Sequence, residues 1–141
     1  MDSIKQNVTS PNCELWWADF GVPFGSEPGY KRPVIIIQND FFNRSNINTI
    51  IVIPLTTNMI FADAPGNILF PKNESKLKKD SVITISQIEV TDRQRLIGKI
   101  SKIDRTTLEK IENNIMFVLG IKKYSGFYEL NSFAYLPIDD E

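Results

Sequence analysis

The chain of 141 residues contains no histidine and a single cysteine. Imidazole is the one side chain that titrates near neutrality without special surroundings, so any acid-base chemistry must rest on carboxylates, hydroxyls or cations. The same two shortages exclude the usual zinc sites, which draw on His and Cys. Cys13 has no second thiol to pair with and no imidazole to activate it, so it is expected to be a structural thiol at a strand start in a reducing compartment. No GxxxxGK or GxGxxG occurs, which removes the phosphate cradles of ATP and dinucleotide enzymes. No window approaches the roughly 20 apolar residues of a membrane span. The polar start Met1 to Asn12 lacks the apolar centre of a signal peptide, and a cytoplasmic location is the expectation.

What is present suits one domain: 42% hydrophobic and 23% charged residues, enough apolar surface for one core. The net charge of −1 argues against non-specific coating of nucleic acid, but the charges are segregated. Ten of the 16 lysines and arginines lie between Lys72 and Lys110, and the chain ends in three acids, Asp139, Asp140 and Glu141. Residues 1–12 read as a loose leader, 13–123 as the domain and 124–141 as an extra tail with too many apolar groups for a linker.

Hydrophobic runs predict strands from Glu14, over Val34 to Ile37 and over Ile50 to Ile53, with Pro54 expected to end the third because it cannot donate to a ladder. Further strands are expected at Gly66 to Phe70, Ser81 to Val90 and Leu96 to Ile103, with a tight turn at Thr91-Asp92. Only Asp104 to Gly120 has helical period. Leu108, Ile111, Ile115, Val118 and Leu119 share a face there, with Asp104 or Thr106 as cap and Gly120 at the end. The fold class expected is mainly β with α: a small SH3-like β-barrel followed by one amphipathic helix.

Arg32 stands immediately before Pro33 at the head of a buried strand. Proline restricts its own φ and its predecessor's conformation, so the guanidinium is held at a defined angle and suits phosphate. A structural ion pair to Glu27 or Asp19 explains the same residue equally simply. The loop Gly25-Ser26-Glu27-Pro28-Gly29 brings a hydroxyl and a carboxylate near it, and Thr56 and Thr57 emerge from another strand, where hydroxyls cap loops or bind phosphate. The basic stretch Lys72 to Lys79, with Arg93, Arg95, Lys99 and Lys102, can line a groove for a phosphodiester backbone or form a solvated face. Trp16, Trp17 and Phe24 can stack on unpaired bases or pack in a core.

In order and spacing these pieces resemble the MazF/PemK family of bacterial toxin endoribonucleases. The resemblance runs from about Leu15 to Leu119, through Asp19-Phe20-Gly21, the Gly25 to Gly29 loop, Arg32-Pro33-Val34, Gln38-Asn39-Asp40, Val52 to Thr57, Lys79 to Val82, Ser86-Gln87-Ile88 and Asp92 to Leu96. It implies a homodimer that cuts single-stranded RNA at a short sequence without a metal or other cofactor, and that a small antitoxin neutralises. The 2′-hydroxyl would be the nucleophile, leaving a 2′,3′-cyclic phosphate and a 5′-hydroxyl. Arg32 and Thr56 match the family's catalytic pair, Glu27 would accept the 2′-hydroxyl proton or orient Arg32, and Ser26, Thr57 and Gln87 fall in matched segments as RNA contacts. A non-catalytic gyrase-binding toxin of the same fold is the competing implication, against which the intact Arg32 and Thr56 argue. The chain departs from the family in Cys13-Glu14, where a glycine and an acid are usual, and in its tail, whose stretch Phe133 to Glu141 resembles the family's acidic antitoxin strips and implies self-occlusion.

Overall fold

The computed structural model describes residues 12–26 and 29–121. The expected leader up to residue 11, Glu27 and the tail therefore lie outside the described residues. Among those described, seven strands form a mainly antiparallel sheet in the order β4-β5-β3-β2-β1-β7, with β6 paired to β3 off that path. The strands are β1 (Glu14–Asp19), β2 (Lys31–Ile36), β3 (Thr49–Thr56), β4 (Ile68–Phe70), β5 (Ser81–Ile83), β6 (Glu89–Asp92) and β7 (Leu96–Lys102). Three α-helices accompany them: one-turn helices α1 (Asp40–Asn43) and α2 (Lys72–Ser75), and the long α3 (Arg105–Leu119).

The unalternated apolar runs bury both faces of the central strands. Leu15, Ile35, Ile53, Leu55 and Ile83 gather on one face around Ile111 of α3, while Trp16, Ala18, Val34, Ile36 and Val52 cluster on the other. The period-2 alternation of a strand sends neighbours in sequence to opposite clusters. Cys13 is buried immediately before β1 and belongs to the helix-facing cluster, as a structural thiol would.

α3 forms where the apolar spacing places it. The Asp104 carboxylate accepts from the Thr107 amide at 2.8 Å, and Gly120 closes the helix at φ 70. Asn114 fastens it to the β3–β4 connection by donating to the Gly66 carbonyl at 2.9 Å. Leu108, Ile115 and Val118 pack on the core as expected, but Leu119 is 54% exposed, because it falls on the last turn past the edge of the cluster.

Pro54 does not end β3, which runs on to Thr56. Instead it marks where β3 changes partners. Residues Thr49 to Val52 pair with β6, and Leu55 and Thr56 pair with β5. A residue without an N–H cannot join a continuous ladder there, and Thr84 crosses the gap, donating to the Pro54 carbonyl from its amide at 3.1 Å and from its hydroxyl at 2.5 Å. The single strand expected over Ser81 to Val90 is consequently two, separated by a 3-10 turn at Ile85–Gln87. The turn expected at Thr91-Asp92 falls one step later, at Arg93–Arg95, where the Asp92 carboxylate caps the Gln94 amide at 2.8 Å.

Candidate functional site

The loop from Gly21 to Tyr30 is pinched at its base: the Phe20 amide donates to the Tyr30 carbonyl at 3.0 Å, and the Tyr30 amide donates back to the Gly21 carbonyl. β2 leaves this neck as Lys31-Arg32-Pro33, in register with β1 so that Ala18 faces Arg32 and Trp17 faces Pro33. The β2–β3 ladder pairs Val34 with Pro54. Continued two residues outward, that antiparallel register brings Arg32 level with Thr56.

The Arg32 guanidinium is half-buried and tethered by two backbone carbonyls, Nε donating to Gly29 at 3.0 Å and Nη1 to Leu55 at 3.4 Å. Burial lowers its pKa from the ordinary arginine value, and the charge of Glu89 opposes that fall. Arginine stays protonated in proteins all the same. The Asp19 carboxylate, offered by the sequence as an ion-pair partner, instead accepts from the Gly21 amide at 3.0 Å. Thr56 does cap its loop, its hydroxyl oxygen accepting from the Asn58 amide at 3.1 Å. That bond uses a lone pair and leaves the hydroxyl proton available to donate.

Arg32, Thr56 and Thr57 line one cleft of about 580 Å³. Its other charged residues are Lys31, Lys76, Lys78 and Lys79, and among the described residues no carboxylate lines it. Five cations, of which Arg32 feels the charge of Glu89, on a chain whose net charge is −1 make a local field that favours a polyanion. The floor is apolar, built by Trp17, Pro33, Leu55 and Ile100, with Leu77 from the basic loop. The left-handed Lys76, φ 70, stops α2 and turns that loop over the cleft.

Phe24, 82% exposed, and Ser26 stand on the loop before β2, outside the cleft lining. Gln87, half-buried in its 3-10 turn, is also outside it. The basic groove foreseen from Lys72 to Lys102 is assembled only in part. Arg93 is 2% exposed and donates to the Phe42 carbonyl at 3.0 Å, Arg95 donates to the Asp19 carbonyl, and Lys99 pairs with Glu14 at 3.0 Å. None of the three lines the cleft.

Glu89 is the residue that sequence reasoning missed. It reaches the neighbourhood of Arg32 through the β6–β3 ladder, which sets it opposite Val52, and no local motif signals such a placement. Among the described residues no group of three or more His, Cys, Asp or Glu side chains could hold a metal ion. No helix among them is long and apolar enough to cross a membrane.

Fold and cleft together define a small β-rich protein with a basic cleft around one tethered arginine. Residues 12–119 match the PemK-like, MazF-like toxins of type II toxin-antitoxin systems. This chain belongs to that family. It is 32% identical over 109 residues to the endoribonuclease MazF6 of Mycobacterium tuberculosis, and equally to the endoribonuclease MazF2 of Mycobacterium bovis, covering 77% of this chain and 96% of each relative. In fold it is similar to the crystal structure of MazF from Deinococcus radiodurans, with TM-score 0.67 at 18% identity over 82% of this chain and 100% of that one. A mycobacterial endoribonuclease solved in complex with its cognate antitoxin aligns with TM-score 0.61 at 18% identity, over 80% of this chain and 95% of that one.

Proposed function

We propose that this chain is a sequence-selective endoribonuclease, the toxin of a type II toxin-antitoxin pair, cutting single-stranded RNA in the Arg32 cleft without a metal. The observation that carries this reading is the meeting of a tethered guanidinium and a threonine hydroxyl in a cleft whose charged lining, among the described residues, is cationic. Family membership and the endoribonuclease relatives support it.

The 2′-hydroxyl oxygen attacks the adjacent phosphorus, its proton passing to the Glu27 carboxylate, and the bond from phosphorus to the 5′-oxygen breaks. The products are a 2′,3′-cyclic phosphate and a 5′-hydroxyl, whose proton comes from solvent or from Arg32. Because the nucleophile belongs to the substrate, proximity supplies much of the rate. Arg32 stabilises the charge that builds on the phosphorane, and Thr56 donates to a non-bridging oxygen. Ser26, Thr57, Gln87 and Phe24 serve as RNA contacts.

The working assembly is a cytoplasmic homodimer of the 13–123 domain, neutralised by a small antitoxin; the solved relative in complex with its antitoxin supports that partner. The sheet is further read as an SH3-like barrel, because β3 pairs with β2 on one edge and with β6 and then β5 on the other, which curls it. Incubation of the purified protein with single-stranded RNA in EDTA tests the central claim. Discrete products ending in cyclic phosphate are expected, and RNA left intact would favour a non-catalytic, gyrase-binding toxin.

A further inference from the structure

We propose that Trp17 is a stacking platform for one unpaired nucleobase, which enters the gap that Gly98 leaves beside the indole. The inference rests on the reading of the cleft as an RNA site and names the subsite within it.

The two adjacent tryptophans have opposite fates. Trp16 is 7% exposed, with its indole N–H given to Glu14 at 2.9 Å, whereas Trp17 keeps 41% of its surface open and forms part of the cleft floor. An aromatic residue in the middle of a central strand is ordinarily covered by its cross-strand neighbours. Here those neighbours are Pro33 on β2 and Gly98 on β7. Pro33 offers a compact ring that is itself part of the lining, and Gly98 offers no side chain.

Neither a left-handed backbone nor a close approach requires glycine at position 98. Its φ is not in the left-handed region, and a Cβ built there meets no atom within 4 Å. Glycine weakens a strand interior and marks places where a ligand comes close. The β1–β7 ladder also shifts register on either side of the Trp16-Trp17 pair, between Leu15 and Trp16 and between Trp17 and Ala18. Such bulges re-aim a side chain beside a functional site.

The occupant follows from the chemistry of the walls. A cationic rim takes phosphate, and an open indole takes a planar π-face, so the two together fit a nucleotide unit of a single strand. Trp17 and Arg32 line the same cleft, which makes a base on the indole a neighbour of the phosphate held at Arg32.

The test uses the full chain in a Trp16→Phe background, where Trp17 is the sole fluorophore of its kind. The probes are 2′-O-methyl adenylate and uridylate oligomers roughly ten nucleotides long, and an abasic oligomer with the same phosphates. Methylation caps the nucleophile, so binding is read apart from cleavage. Base-bearing oligomers are expected to quench the indole, and the abasic one to bind without quenching. Trp17→Leu and Gly98→Val should each weaken the base-bearing oligomers about tenfold while leaving the abasic oligomer unchanged. Gly98→Val should unfold at the same temperature or higher, which a merely structural glycine would not allow. Equal losses for both kinds of oligomer, or binding by anisotropy without quenching, overturn the platform and leave the nuclease reading intact. A quench that follows protein concentration alone assigns the indole to a second copy and overturns it too. If neither oligomer binds, the cleft is not an RNA site and both readings fall.

Discussion

The Arg32 guanidinium donates through Nη1 to the carbonyl of Leu55 at 3.4 Å, which ties the cation of β2 to the residue preceding Thr56 on β3. With Nε held by the Gly29 carbonyl, the group is aimed before substrate arrives. Arg32→Ala is therefore expected to lower kcat by about 10²- to 10³-fold, the usual cost of removing one pre-placed electrostatic contact. Arg32→Lys should recover little, because a point charge cannot reach two carbonyls and a phosphate as a planar fork does. Single-turnover cleavage measures both, and an unchanged unfolding temperature shows that the loss is chemical.

Phosphate binding by the basic rim predicts a particular salt dependence. Each phosphate neutralised on a single strand contributes about −0.7 to the slope of log affinity against log salt. Replacing Lys76, Lys78 and Lys79 together with alanine should make the slope shallower by about 2. These side chains are largely solvated, Lys76, Lys78 and Lys79 all being exposed, so the fold should not suffer. The affinity loss should be similar for all RNA sequences, since phosphate contacts carry no base information. Filter binding over a salt series reads the slope.

Local signals in the sequence were enough for the first three strands and the long helix, whereas the pairing of Arg32 with Thr56 came from the family resemblance. Apolar runs without alternation located β1, β2 and β3, and Asp104 and Gly120 bracketed α3 because capping chemistry is local. What escaped depends on pairing. A proline reads locally as a strand end, yet Pro54 sits inside β3 because two different strands take its edge on either side. Register likewise decides that Lys99 is paired to Glu14 while Lys79 lines the cleft, although both read simply as cations in a basic stretch. Glu89 was invisible for the same reason: its relation to Arg32 exists only through β3.

The cap of α3 should be visible in the acid stability of the protein. The Thr107 amide, followed by a hydrogen bond from the Thr107 side chain, holds the Asp104 carboxyl below its ordinary value of 3.8. A carboxylate with a depressed pKa in the folded state stabilises the fold fully above its unfolded value, and that contribution disappears as pH falls through the folded value. Asp104→Ala should consequently unfold at a lower temperature than the wild type at neutral pH, and the gap should close on acidification below 3.8. Thermal melts followed by helical circular dichroism across that range provide the comparison. A gap constant with pH would mean that the ionised carboxylate contributes nothing to the cap.

The pH profile of cleavage discriminates the proposed base Glu27 from Glu89, whose charge acts on Arg32. The chain has no histidine, and burial raises the Cys13 thiol from 9.0, so neither group titrates in the neutral range. Arg32, although its pKa is lowered by burial, keeps its proton there. A carboxylate base predicts that kcat/KM falls on acidification through the ordinary glutamate range, about 4.3, and carries no inflection near 6.5. Glu27→Gln should lower the rate and abolish the acid limb, because the proton acceptor is gone. Glu89→Gln should lower the rate more mildly and keep the limb, because Glu89 acts on Arg32 through its charge rather than on the 2′-hydroxyl. An acid limb that survives in Glu27→Gln and vanishes in Glu89→Gln would reverse the two roles, moving the base from the loop before β2 to the first residue of β6.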